Sequence, residues 1–182
     1  YDGTALTNGG YDVTSGSFVG GEGLASVTVE GTITDPGTAD NVITGHVLKD
    51  NTKAQNYNIT YKTGTLTVSK VTAQIVVTAK SDSKVYDGTA LTNGGFTYTQ
   101  GVLAEGDKLV ATVEGSITDA GTQANEVTDV KVMRGETDVT ANYTFGESVD
   151  GTLTIEARDV ELTAKSDSKV YDGTALTNGG YD

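Results

Sequence analysis

The tripeptide Tyr-Asp-Gly stands at Tyr1-Asp2-Gly3, Tyr86-Asp87-Gly88 and Tyr171-Asp172-Gly173, and it is the pattern in the chain that most invites a chemical role. A carboxylate in an oxygen-rich loop can ligate calcium, and a tyrosine ring can offer a flat platform to a sugar. The surrounding residues favour neither use. No twelve-residue loop carries acidic or amide residues at alternate positions ahead of a glycine, and an Asp beside a Gly ordinarily makes a turn by bonding its own backbone. The rings of Tyr86 and Tyr171 are expected to pack on the core edge and keep the hydroxyl wet. Tyr86, Asp87, Gly88, Tyr171, Asp172 and Gly173 therefore read as a structural motif, with each Gly in a backbone conformation closed to other residues. No catalytic, cofactor-binding or metal-binding residue is assigned, and the chain is not expected to be an enzyme.

Other reactive side chains point the same way. His46 is the only histidine, so two domains could not carry matching catalytic triads, and its counterpart in the second repeat is Val130. The absence of cysteine excludes a disulfide scaffold, thiolate zinc sites and a cysteine nucleophile. The glycine-rich stretch from Gly16 to Gly23 lacks the G-K-[ST] of a phosphate cradle. Arg134-Gly135-Glu136 reads as an exposed turn present in one copy alone. Lys70 and Asn142 are of the types that some surface proteins cross-link inside a core, but sequence does not reveal proximity. A formal charge of −13 argues against nucleic acid and suits solubility and self-repulsion along an extended molecule. No apolar run approaches the roughly 20 residues that span a bilayer, so no membrane insertion is expected in this segment.

The elements that would hold these residues come in repeats. The stretch Thr78 to Gly95 recurs without change from Thr163 to Gly180, and the three Tyr-Asp-Gly tyrosines follow one another at intervals of 85 residues. That period matches one small globular domain. Helix has no foothold among the Gly, Thr, Val, Asp and Asn that dominate, whereas strand alternation recurs. Ile75, Val77 and Ala79 alternate with polar neighbours, as do Val160, Leu162 and Ala164, and both stretches are expected as half-buried strands. Val27, Val29 and Ile33 match Ala111, Val113 and Ile117, and the turns Asp35-Pro36-Gly37 and Asp119-Ala120-Gly121 close those strands. Two hairpins are expected next: Tyr57, Ile59 and Tyr61 against Leu66 and Val68 around Thr63-Gly64, and Tyr143 and Phe145 against Leu153 and Ile155 around Asp150-Gly151. The fold class is all-β, as tandem small β-sandwich or β-grasp-like modules arranged end to end. The change of character after each hairpin places a first domain at 1–73 that lacks its opening strand. A complete domain follows at 74–157, and 158–182 supply the opening strand and Tyr-Asp-Gly loop of a third.

The segments K-V-Y-D-G-T-A-L-T-N-G-G, E-G-T-I-T-D with E-G-S-I-T-D, N-Y-x-I/F and G-T-L-T-V/I resemble the YDG and MBG-type repeats of large bacterial surface proteins. The resemblance covers the whole chain. It implies a secreted or cell-wall-associated adhesin-like protein of a Gram-positive organism, extracellular at the cell surface, and supplies no catalytic residues to carry over. No signal peptide or anchoring tail is visible, and the chain reads as an excerpt from a longer protein. The function expected first is a stalk or spacer whose partners are neighbouring repeats. The alternative is a multivalent binding module for a host glycan or matrix protein, in which repetition supplies avidity. One further partner is expected: another copy of the chain, joined head to tail by donating the strand at Val160, Leu162 and Ala164 to the incomplete first domain.

Overall fold

The computed structural model describes residues 1–180; Tyr181 and Asp182, which close the third-repeat fragment, lie outside the described residues. Alternation of apolar and polar residues over V-T-V-E and its relatives gives strands with one buried face. In the first repeat, β1 (Leu24–Glu30), β2 (Gly37–Leu48) and β3 (Gly64–Val68) form an antiparallel sheet in that order. The long β2 is shared: Gly37 to Asn41 pair with β3, and Val42 to Leu48 pair with β1.

The second repeat contains β4 (Gln74–Ile75), β5 (Val77–Ala79), β6 (Asp82–Val85), β7 (Phe96–Tyr98), β8 (Asp107–Glu114), β9 (Gly121–Arg134), β10 (Thr137–Asp138), β11 (Thr144–Phe145) and β12 (Gly151–Glu156). Here β8, β9 and β12 repeat the arrangement of β1, β2 and β3, and β6 adds a parallel strand beside β12. The opening segment crosses the other layer, β4 running parallel to β11 and β5 antiparallel to β7. The fold is all-β, with two single turns of 3-10 helix at Ala54–Asn56 and Thr140–Asn142 and no α-helix among the described residues.

Equivalent positions behave alike in the two repeats. Val27 faces His46 and Ala111 faces Val130, and each strand pair carries a bulge at the same place, Thr28/Val29 and Thr112/Val113. The glycine of each E-G-x-I-T-D segment is fixed by crowding: a Cβ on Gly31 would lie 2.7 Å from the Asp40 carbonyl oxygen, and one on Gly115 would lie 2.8 Å from that of Ala124.

The core sits in the second repeat. Ile75, Val77, Val132, Leu153 and Ile155 are buried there, the first two supplied by the opening segment. At roughly 1.5 to 3 kcal/mol for each fully buried aliphatic side chain, Ile75 and Val77 contribute a substantial part of that repeat's stability. In the first repeat Leu66 is the one large apolar residue that is buried among those described, and no described strand there corresponds to β4 and β5. A groove of about 580 Å³ lies there instead, lined by Val27, Val29, Ile43, Ile59, Tyr61 and Leu66.

The two expected hairpins do not form. The stretch 57–63 lies outside any strand, and β3 pairs with β2; β11 pairs with β4, while β12 lies between β9 and β6. The Asp-Gly pair misleads because Gly151 has no positive φ. Its glycine is needed for close approach, since a Cβ there would come within 2.7 Å of the Lys80 carbonyl carbon, and Asp150 instead accepts the Val127 N–H at 3.0 Å. The strand expected around Val160, Leu162 and Ala164 is also not formed, and Val160 and Leu162 are each 77 % exposed. A strand needs a partner, and the identical S-D-S-K-V sequence forms β6 only where β12 offers an edge.

Candidate functional site

Each Tyr-Asp-Gly loop is built by its own residues. Asp2, Asp87 and Asp172 accept from the backbone N–H and the hydroxyl of the threonine two residues on, at 2.7 to 2.9 Å. The glycine between turns through φ of +81°, +81° and +78° at Gly3, Gly88 and Gly173, a region that side chains resist. In the later copies a lysine ties the loop, Lys84 donating to Asp87 and Lys169 to Asp172 at 2.8 Å. The geometry is the same around Tyr171, which is 91 % exposed, so it is encoded locally and owes nothing to packing.

Hydrogen bonds from the Lys84 ammonium, then from Thr89, hold the Asp87 carboxyl well below the usual carboxylate range; Lys169 and Thr174 hold Asp172 at about 2. Carboxyl carbon shifts followed by NMR titration should therefore show both groups ionising below ordinary aspartates. Lys84→Met should raise Asp87 alone. Ordinary titration of both groups in the unmodified chain would contradict this account of the loop.

Tyr171, expected on a core edge, is instead exposed because no sheet forms beside it, whereas the tyrosine of the first loop docks on the second repeat. The Tyr1 amino group donates to the Ser69 carbonyl at 2.9 Å, which fixes the residue beside the end of β3. Its ring meets Tyr143 edge to face with centroids 5.7 Å apart, and the Arg134 guanidinium lies 5.4 Å from the ring centre. Its hydroxyl donates to Asp107 at 3.1 Å and accepts from Arg134 at 2.5 Å. Tyr143 donates to the same Asp107 oxygen at 2.6 Å, and Arg134 reaches the other at 2.7 Å.

Asp107 is the hub of this cluster, its side chain fully enclosed. Burial pushes its carboxyl up, but hydrogen bonds from Arg134, Tyr143 and Tyr1 outweigh burial and leave it below its ordinary value. Burial, followed by the bond to Asp107, pushes the Tyr143 hydroxyl up, so it remains a donor. A second contact crosses the same junction: the Asn142 amide donates to Asp35, in the Asp-Pro-Gly turn of the first repeat, at 2.9 Å. The link is bonded too, with Val71 donating to the Asn142 carbonyl at 3.2 Å and accepting from the Thr144 hydroxyl at 2.9 Å.

The other sequence candidates fall apart from this cluster. Tyr86 is 39 % exposed and its backbone N–H bonds the Glu156 carbonyl at 2.8 Å, the counterpart of the Tyr1 bond to Ser69. His46 lies half-buried beside the groove and bonds Tyr61 through Nδ1. Lys70 is exposed, whereas Asn142 is buried with its amide committed to Asp35. Arg134, expected in an exposed turn, closes β9 instead and is central to the cluster through Asp107 and Tyr1. Asp107 and Asn125 gave no signal by type, although Asn125 and Asn41 occupy matching positions in the two repeats. The Asn125 amide bonds the carbonyls of Lys80 and Asn93 at 2.8 and 2.7 Å, stitching the opening segment to the sheet.

No protein-family model, curated protein or solved structure matches the chain.

Proposed function

We propose that the chain is a run of structural spacer modules, of the YDG and MBG type that its motifs resemble, from a bacterial cell-surface or cell-wall-attached protein. Its modules stand end to end and hold a distal region away from the surface. The observation that carries this function is the junction itself: Tyr1 and Asp35 of one repeat are bonded into Asp107, Arg134, Asn142 and Tyr143 of the next. A linker of a few residues has little slack, and here its backbone is bonded to the module that follows. Rigid extension needs such a joint. A two-module length of about 60 Å follows from roughly 30 Å of strand per module. Small-angle scattering of a dilute solution should give a maximum dimension near that length, against about 40 Å for a compact sphere of this mass. A profile of the compact kind would overturn the spacer function.

The open groove of the first repeat extends the proposal to self-association. β4 and β5 fill the matching groove of the second repeat, and Val160, Leu162 and Ala164 present a similar apolar row that forms no strand, with a single bridge at Ala164. A second copy can accept that row, so that each molecule completes the next. Deleting residues 159–182 should abolish such chains and leave the first repeat the less stable of the two, as read by sedimentation and by hydrogen exchange. Unchanged assembly after the deletion would rule out the donated strand.

A further inference from the structure

The first repeat carries its own version of the pocket that receives Tyr1. Tyr57 donates to Glu22 and accepts from the Val19 N–H at 3.0 Å, just as Tyr143 donates to Asp107 and accepts from the Ala104 N–H at 2.9 Å. Asn56 precedes Tyr57 as Asn142 precedes Tyr143. In the second repeat the Tyr1 ring lies against this constellation and Asp35 takes the asparagine amide. In the first, a shallow cavity of about 350 Å³ lies at the same place, lined by Val19, Gly20, Glu22, Asn56 and Tyr57.

The complementary plug stands on the second repeat. Tyr86 and Asp119 are the counterparts of Tyr1 and Asp35, both are exposed, and Tyr86 is anchored by the same backbone bond to the end of the last strand. We infer that the Glu22, Asn56 and Tyr57 pocket is a socket for Tyr86 and Asp119 of a second copy of this chain, so that the contact between copies reproduces the junction within one. The assignment rests on the end-to-end arrangement proposed above. Tyr86 donates its hydroxyl to Glu22, which already accepts from Tyr57 as Asp107 does from Tyr143, and Asp119 accepts the Asn56 amide. No counterpart of Arg134 is present, since Asp50 stands at its place. The copy-to-copy contact is therefore weaker than the internal one. It is also heterologous, with plug and socket on different repeats, and propagates as an open filament unless its rotation closes a ring.

Sedimentation velocity on the full chain over a range of concentrations tests the socket. The unmodified chain should associate reversibly beyond a dimer. Tyr86→Ala and Glu22→Ala should each weaken association about tenfold or more, the loss expected for one hydrogen bond to a charged group. Tyr86→Phe, which keeps the ring, should retain part of the affinity. The chain carrying both Tyr86→Ala and Glu22→Ala should associate no more weakly than either single variant, because the two residues act in one contact. Asp119→Ala, in an exposed turn, provides a variant free of any folding effect on the socket and should weaken association severalfold. A chain that stays monomeric, or variants that associate like the unmodified chain, would overturn the socket. Either result would leave the scattering dimension of a single chain, and with it the spacer function, untouched.

Discussion

Valine at position 151 is expected to unfold the second repeat, at a cost above about 3 kcal/mol, among the largest effects of any single substitution. Gly151 lies where the opening segment passes over the start of β12, and a Cβ would come within 3.0 Å of the Ala79 carbonyl oxygen and closer still to the Lys80 carbonyl. Backbone is the obstacle, so no rotamer change relieves the clash. Opening that crossing also strips cover from Ile75, Val77, Leu153 and Ile155. Gly88→Val makes the informative contrast. Its Cβ meets open space and the φ of +81° alone is violated, so the cost should be about 1 to 3 kcal/mol. Thermal unfolding of both variants checks the order; a Gly151→Val chain that melts with the unmodified one would mean that the crossing is not as described.

Asp107→Ala should have the second largest effect, a loss of about 2 to 3 kcal/mol from the second repeat. The substitution leaves two tyrosine hydroxyls and the Arg134 guanidinium without their shared acceptor. Arg134 retains 30 % side-chain exposure, so water can take part of its charge and the cost stays below that of a fully buried pair. For a domain of this size the melting temperature should fall by roughly 10 to 20 °C. The pH dependence follows from the sign of the shift. The folded carboxyl titrates below its ordinary value of 3.8, so its contribution is complete at neutral pH and is lost as pH falls through the folded value. The difference in stability between the unmodified chain and Asp107→Ala should accordingly shrink in acid below about pH 4. A constant difference down to pH 2 would show that the carboxylate's charge plays no part.

The all-β class, the repeat period and the inward faces of Ile75, Val77 and Ala79 were legible because alternation and identity are local properties of sequence. The Tyr-Asp-Gly loop was legible for the same reason: its bonds run from Asp to a threonine two residues away. Pairing was not legible. Asp150-Gly151 has the composition of a hairpin turn, and only the chain crossing overhead reveals that the glycine is there for clearance. Residues 160–164 have the alternation of a strand, yet strand formation depends on a neighbour that sequence does not display. The junction was hidden because its members are spread from Tyr1 to Tyr143 and its two charged members on the second repeat do not recur in kind. Asn56 and Tyr57 recur as Asn142 and Tyr143, whereas Arg134 has Asp50 at its place and Asp107 is answered by a glutamate, Glu22.

A rigid joint between repeats is the central claim, and the absence of cysteine makes it directly measurable, since spin labels can be placed without background. Cysteines introduced at Thr44 and Thr128, exposed and equivalent positions on β2 and β9, would report the translation from one repeat to the next by double electron–electron resonance in dilute solution. The junction predicts a single narrow distance distribution, centred at about one module length of roughly 30 Å. It also predicts broadening when Tyr1→Ala and Asp35→Ala are combined. A broad distribution in the unmodified chain, or a narrow one that the two substitutions leave unchanged, would contradict it.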